Sequence, residues 1–173
     1  AKIKIGESVL IFGIGGVGLS IAQAASMKSG YPIVGVDVID SKLSRGRTLG
    51  LTHTVHVGSE NLQGKVREIV GSKGADVVIE TTGNSRVIEE AYNLTQPDGR
   101  TILVGVPKRG DNISISSLPL HFNKVLTGSH GGGAKPDKDI PRIIRLMNAG
   151  QLNFDGLITH EFSLDSINEA IQI

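Results

Sequence analysis

Not one cysteine occurs in the 173 residues. That removes disulfides, thiolate nucleophiles and cysteine-based zinc ligation together, and it is in keeping with a cytoplasmic chain. Tryptophan is missing and aromatic residues make up 3%, so any core has to be aliphatic. A dominant charge is missing too. The 18 basic and 17 acidic residues leave a net charge of +1, with no basic field for a nucleic-acid backbone and no acidic tail. No apolar run is long enough to cross a bilayer, which argues against a membrane partner, and the first residues lack the pattern of a signal peptide. The chain opens on Ala1 rather than Met, which implies a removed Met or an excised boundary. What remains is a globular composition, 39% hydrophobic and 20% charged, long enough to bury a core as one domain over residues 1–173.

The informative stretch is Val9-Leu10-Ile11-Phe12-Gly13-Ile14-Gly15-Gly16-Val17-Gly18. Four apolar residues in a row read as a strand buried on both faces. The glycines turn it into a helical pattern carrying Leu19, Ile21, Ala22, Ala25 and Met27, broken at Ser29-Gly30. In Gly13-x-Gly15-x-x-Gly18 each glycine has its own duty. Gly13 permits the tight turn, Gly15 leaves room for phosphate oxygens, and Gly18 lets the helix pack close to the strand. A diphosphate would then rest on backbone N–H groups, including those of Gly16 and Val17, at the positive end of the helix. A second strand, Ile33–Val36, runs into Asp37, nineteen residues after Gly18. An acid at that distance accepts hydrogen bonds from the hydroxyls of an adenosine ribose. Strand, glycines, helix, strand and acid in register predict dinucleotide binding.

The rest of the chain alternates strands with helices. Ser41 is a candidate cap for a short helix ending at Gly50, followed by a strand at Thr54–Val57. A helix from Asn61 to Val70 precedes a buried strand, Asp76–Glu80. A helix from Ser85 to Leu94 is expected to end at Pro97-Asp98-Gly99, before a strand at Thr101–Val104. Ile113 and Ile115 suggest a weaker strand or loop edge, and Val125–Ser129 the last parallel strand. Pro141 fits the first turn of a helix over 139–148, with Ile143, Ile144, Leu146 and Met147 as its buried stripe. Leu157–Phe162 reads as a short strand, and Ser166 with Glu169 as a capping box for a final helix. The fold class is α/β, a doubly wound parallel sheet of about six strands with helices on both faces, the Rossmann arrangement.

In such a sheet the ligand lies beyond the carboxyl ends of the strands, where strand order reverses. Those ends supply Gly13 to Gly18, Asp37, Thr81-Thr82-Gly83, Val104-Gly105-Val106 and Ser129-His130. The row is long enough to carry a nicotinamide, with backbone groups near Thr82, Val106 and Ser129 open to its carboxamide. Lys42, five residues after Asp37, either reaches the ribose or adenine edge or is a solvated helix lysine. Asp37 repels a 2′-phosphate, and Val38 and Ile39 offer no arginine to neutralise one, which predicts NAD rather than its phosphorylated form. The five histidines give no metal site: His53 and His56 share no helical face, and His130 reads as a loop residue rather than an acid–base group.

Taken together, these residues resemble the coenzyme domain of the zinc-dependent medium-chain alcohol dehydrogenase family. The resemblance runs from Gly6-Glu7-Ser8-Val9 through the glycine run, Val36-Asp37-Val38, Val78–Gly83 and Val104–Pro107. It ends with Gly128–Gly132 and Leu157–His160. It implies hydride transfer between an alcohol or carbonyl and NAD or NADP, carried out with a catalytic domain that holds zinc through cysteine and histidine. With no cysteine here, zinc and the catalytic residues are expected only in such a domain, which would be this chain's missing partner. The resemblance also implies a homodimer joined through edge strands, for which 113–120 and 125–129 are the candidates. A bare edge is a pairing hazard. The competing reading is a stand-alone, non-enzymatic dinucleotide sensor, and a methyltransferase is a more distant one.

Overall fold

The computed structural model describes residues 1–58 and 60–172. Its centre is strand β1 (Val9–Phe12), buried along its whole length. Helix α1 (Gly16–Met27) follows, then β2 (Ile33–Asp37), α2 (Asp40–Thr48), β3 (His53–His56) and α3 (Leu62–Val70). The second half adds β4 (Ala75–Glu80), α4 (Ser85–Asn93), β5 (Thr95–Leu103), β6 (Val125–Gly128), α5 (Pro136–Asn148) and α6 (Ile167–Ala170). The strands form one parallel six-stranded sheet in the order β3-β2-β1-β4-β5-β6. The order reverses between β1 and β4.

Side chains alternate across a strand, so β1 feeds two cores. Val9 and Ile11 join Leu19, Ala22 and Ala25 of α1 and Leu43 of α2 on one face. Leu10 and Phe12 join Val66 of α3 and Ala91 of α4 on the other. Each of these larger side chains contributes about 1.5–3 kcal/mol by leaving water. The cores cover both faces of the sheet, as the unbroken apolar run of β1 requires.

Two polar fasteners complete the frame. Arg100 on β5 donates to both Glu7 oxygens and to the Ala1 and Lys2 carbonyls, pinning the N-terminal segment. Its guanidinium holds the Glu7 carboxyl below the usual carboxylate range. Lys124, buried just before β6, donates to the Thr95 carbonyl at 2.7 Å and sits 4.2 Å from the centre of the Tyr92 ring. Burial pushes its amine below the ordinary lysine range. The Tyr92 hydroxyl in turn donates to the Ser116 carbonyl, tethering the stretch before β6.

Several local expectations fail for identifiable reasons. Ser41 lies inside α2, whose cap position is Ile39, because the Ile39 carbonyl takes the Lys42 and Leu43 N–H groups. Strand β3 begins one residue earlier than predicted, at His53. Pro97-Asp98-Gly99 does not end α4. It is an irregularity inside β5, where the register jumps from Ala75 opposite Thr95 to Val77 opposite Arg100. Residues 111–117 are irregular, and Leu118–Phe122 form a single 3-10 turn, so the Ile113–Ile115 alternation makes no strand.

Helix α5 starts at Pro136, because the Lys135 carbonyl and N–H are satisfied by the first turn and by Asp139. Pro141 therefore sits inside it, withholding the N–H that the Asp137 carbonyl would take. Leu157–Phe162 stays irregular, with Leu157 drawn against the α1–α2 core rather than onto a strand. Ser166 occupies the cap position of α6 but makes no capping bond; its hydroxyl is paired with Ser163. The predicted stripe of α5 is not buried. Ile143, Ile144 and Met147 are 40–48% exposed, since the helix lies outside the sheet, with an apolar groove between it and α1. Beyond Lys124 no described residue is buried.

Candidate functional site

Strand register lines up the C-terminal residues. Phe12 stands opposite Val36 and Glu80, Glu80 opposite Leu103, and Leu103 opposite Gly128. The residues singled out from sequence follow these positions, so they share one end of the sheet.

Gly13 adopts φ +86°, and a Cβ there would strike the Thr81 hydroxyl. At Gly18 a Cβ would overlie the Gly13 carbonyl, so the close approach of helix and strand depends on its absence. Gly15 and Gly16 differ from both: nothing lies within 4 Å of a Cβ at either position. Helix α1 starts there with Gly15 at the cap, no side chain capping it and no acid in its first turn. The Gly16 and Val17 N–H groups have no acceptor among the described residues, as an anion seat requires. Val17, in that turn, is 55% exposed.

The Asp37 carboxylate is drawn over this loop. Oδ2 accepts from the Ile14 N–H at 2.6 Å and Oδ1 from the Ile39 N–H at 3.0 Å, and the residue is 8% exposed. A carboxylate oxygen has two acceptor positions, so each keeps one for a ligand hydroxyl. Val38 beside it is exposed, and Lys42 is half-buried one turn into α2. Arg47 is occupied by the Thr54 hydroxyl.

Across the switch point, Thr81 is fixed by its hydroxyl, which donates to the Phe12 and Gly13 carbonyls. Val17, Ile79, Val104, Val106, Ser129 and His130 help to line a cavity of about 570 Å³. A smaller one of about 380 Å³ lies between Thr82-Gly83 and Val106. Among the backbone groups expected to face the carboxamide near Thr82, Val106 and Ser129, two N–H groups are already engaged. The Thr82 N–H is taken by the Glu80 side chain and the Ser129 N–H by the Leu103 carbonyl, because both turns are stabilised internally. Only the Val106 N–H, on a residue 89% exposed, lacks an acceptor among the described residues. His130 is exposed and its carbonyl caps the glycine turn after it.

Sequence reasoning gave Glu80 no role beyond ending a strand, yet it is fully buried at the centre of this end. Its signal was the succession of acid, Thr82 donor and Gly83, a turn that supplies its own N–H groups to a carboxylate.

Zinc does not fit this chain. Among the described residues no three His, Asp or Glu side chains converge to hold a metal. His53 is placed beside the Thr52 hydroxyl, and His56 between the Val38 carbonyl and the Gly58 N–H.

The sequence model of a family described as zinc-binding dehydrogenase matches residues 16–149. Alcohol dehydrogenase-like 7 of Arabidopsis thaliana is 34% identical over 177 residues, covering 100% of this chain and 45% of that protein. An alcohol dehydrogenase zinc-binding domain protein from Burkholderia ambifaria superposes with a TM-score of 0.91 at 29% identity, over 98% of this chain and 46% of that one. A protein from Sinorhizobium meliloti 1021, solved bound to NADP, shares the fold at 24% identity with a TM-score of 0.90, over 100% and 50% of the two chains. The chain thus spans about half the length of the relatives it matches.

Proposed function

This chain belongs to the zinc-binding dehydrogenase family, and we propose that it is the NAD(H)-holding portion of an alcohol or polyol dehydrogenase. One observation carries the reading: an uncapped helix start opens onto free space at Gly15 and Gly16, with the Asp37 carboxylate suspended beside it. Gly13, Gly15, Gly16, Val17 and Gly18 would hold the diphosphate. Asp37, Val38 and Lys42 would take the adenosine ribose and the adenine edge. Thr81, Thr82, Val104, Val106, Ser129 and His130 would take the nicotinamide.

When bound, the nicotinamide supplies the hydride acceptor or donor. The chain's own contribution is to bind, orient and exclude water, which the apolar walls at Val17, Ile79 and Val104 favour. No acid, base or metal ligand for the alcohol is assigned to these residues. Because a neighbour with this fold binds NADP, the fold alone leaves either cofactor open; the preference for NAD rests on Asp37.

The self-contained sensor reading is disfavoured by α5. A module complete in itself gains nothing from leaving Ile140, Ile143, Ile144 and Met147 between 40% and 55% exposed. The other half of a chain as long as its relatives is the occupant proposed for that stripe.

NADH fluorescence tests the reading. Its emission should rise on mixing with this chain and be reversed by added ADP-ribose, while an alcohol with NAD should give no turnover. A flat NADH titration would remove the proposal.

A second copy is proposed at the opposite edge. Among the described residues strand β6 pairs with β5 alone, and Val125 within it and Leu118 and Phe122 before it are 44–67% exposed. Sedimentation at high concentration should find dimer, and Leu118→Lys with Phe122→Lys should return it to monomer. A parent that sediments only as monomer defeats this pairing.

A further inference from the structure

Glu80 ends β4 with none of its surface exposed, and the assignment above gives it nothing to do. A carboxylate taken out of water needs donors. The Thr82 N–H and hydroxyl both donate to Oε1 at 2.5 Å, and the Gly83 N–H is shared between Oε1 at 3.0 Å and Oε2 at 3.2 Å. The Glu80 main-chain carbonyl accepts from the Val104 N–H at 2.8 Å and the Gly105 N–H at 3.0 Å. One residue therefore ties two turns together, the first through its side chain and the second through its backbone. The turns are in close contact. A Cβ on Gly83 would strike the backbone of Val106, and one on Gly105 would strike that of Gly83, Thr81 and Thr82.

No lysine or arginine pairs with Glu80 among the described residues, so its charge is met by peptide and hydroxyl dipoles alone. A buried charge is a poor way to gain stability when an apolar residue could fill the same space. Its arrangement makes sense as a device for holding the two turns at a fixed separation, at the place where both cavities share Val106.

We infer that Glu80 is a positioning residue for the nicotinamide half of the cofactor. It sets the Thr82-Gly83 turn against the Val104–Val106 turn, so that the free Val106 N–H and the neighbouring carbonyls are presented together, and it touches no ligand itself. The inference rests on the NAD(H) reading and extends it.

The test compares NADH with ADP-ribose, which lacks the nicotinamide, on the whole 173-residue chain. The parent should bind NADH more tightly than ADP-ribose. Glu80→Gln keeps the size but turns a donor toward the Gly83 N–H. It should weaken NADH about tenfold while leaving ADP-ribose within about twofold. Thr82→Val removes the hydroxyl that donates to Glu80 and accepts from the Asn84 N–H. It should weaken NADH about threefold while Thr82→Ser, which keeps that hydroxyl, binds like the parent, and this pair decides the matter should the Gln variant not fold.

Equal loss of both ligands, loss of neither, or a parent that binds both equally well would overturn the role of Glu80 alone. A parent that binds neither ligand would overturn the cofactor reading itself.

Discussion

Gly15→Ala should fold and melt like the parent and yet bind NADH about 100-fold more weakly, a loss of about 2.7 kcal/mol. Gly15 adopts φ −81° and ψ −166°, extended backbone that alanine takes without strain. No protein atom beyond its own chain neighbours lies within 4 Å of the added methyl. The remaining structural cost is an alanine in place of glycine at a helix cap, less than about 1 kcal/mol. At this chain length that moves the melting temperature by no more than about 4 °C.

The methyl fills the space above the first N–H groups of α1, where diphosphate oxygens would make charge-assisted bonds. Losing one such bond accounts for about 1.5–3 kcal/mol. ADP-ribose carries the same diphosphate and should weaken equally, which separates this effect from that expected at Glu80. Gly18→Ala is the control of opposite kind. Its Cβ overlies the Gly13 carbonyl, so α1 must move off β1 and the fold itself loses about 3 kcal/mol. Calorimetric melting and NADH titration of the two variants measure both quantities. A Gly15→Ala protein that binds NADH like the parent would show that no diphosphate crosses Gly15.

The same contrast explains what could be read from the sequence. The glycine turn, Asp37 and β1 were legible because local backbone demands and a run of four apolar residues specify them without reference to distant contacts. The row of strand ends followed from the parallel register. What failed depended on packing that a pattern does not contain. Periodicity identified the apolar stripe of α5 but could not say whether anything covers it, and the helix lies beyond both cores. Pro97-Asp98-Gly99 has the chemistry of a helix end, but Ala75 pairs with Thr95 upstream of it and takes it into β5 as an irregularity. Leu157–Phe162 has strand composition, yet Leu157 packs against the α1–α2 core and the segment stays out of the sheet. Glu80 is legible only as the last residue of a buried strand; its role is not, because that depends on Gly83 and Gly105 letting two turns close over it.

Cofactor choice should turn on residues 37 and 38, and the parent should prefer NADH to NADPH by about 100-fold. Two like charges about 4 Å apart repel by about 4 kcal/mol at the effective dielectric of a protein surface, more than enough for that ratio. Replacing the acid outright is a flawed test. The Asp37 carboxylate also takes the Ile14 and Ile39 N–H groups, and Ile14 is fully buried. Asp37→Arg would leave that buried N–H without an acceptor, a cost of about 1–3 kcal/mol that lowers the melting temperature and confuses any loss of binding.

Asp37→Asn combined with Val38→Arg avoids the difficulty. The amide oxygen still accepts from Ile14, while Ile39 is 41% exposed and water can satisfy its N–H. Val38 is 63% exposed, so an arginine there meets solvent rather than the core and can pair with a 2′-phosphate in bidentate fashion. The double variant should melt within about 4 °C of the parent and bind NADPH at least about tenfold more tightly than NADH, against Asp37→Arg as the unstable comparison. Competitive titration of the two reduced cofactors gives both ratios. A parent that holds NADPH as tightly as NADH would mean that the Asp37 carboxylate does not face the ribose.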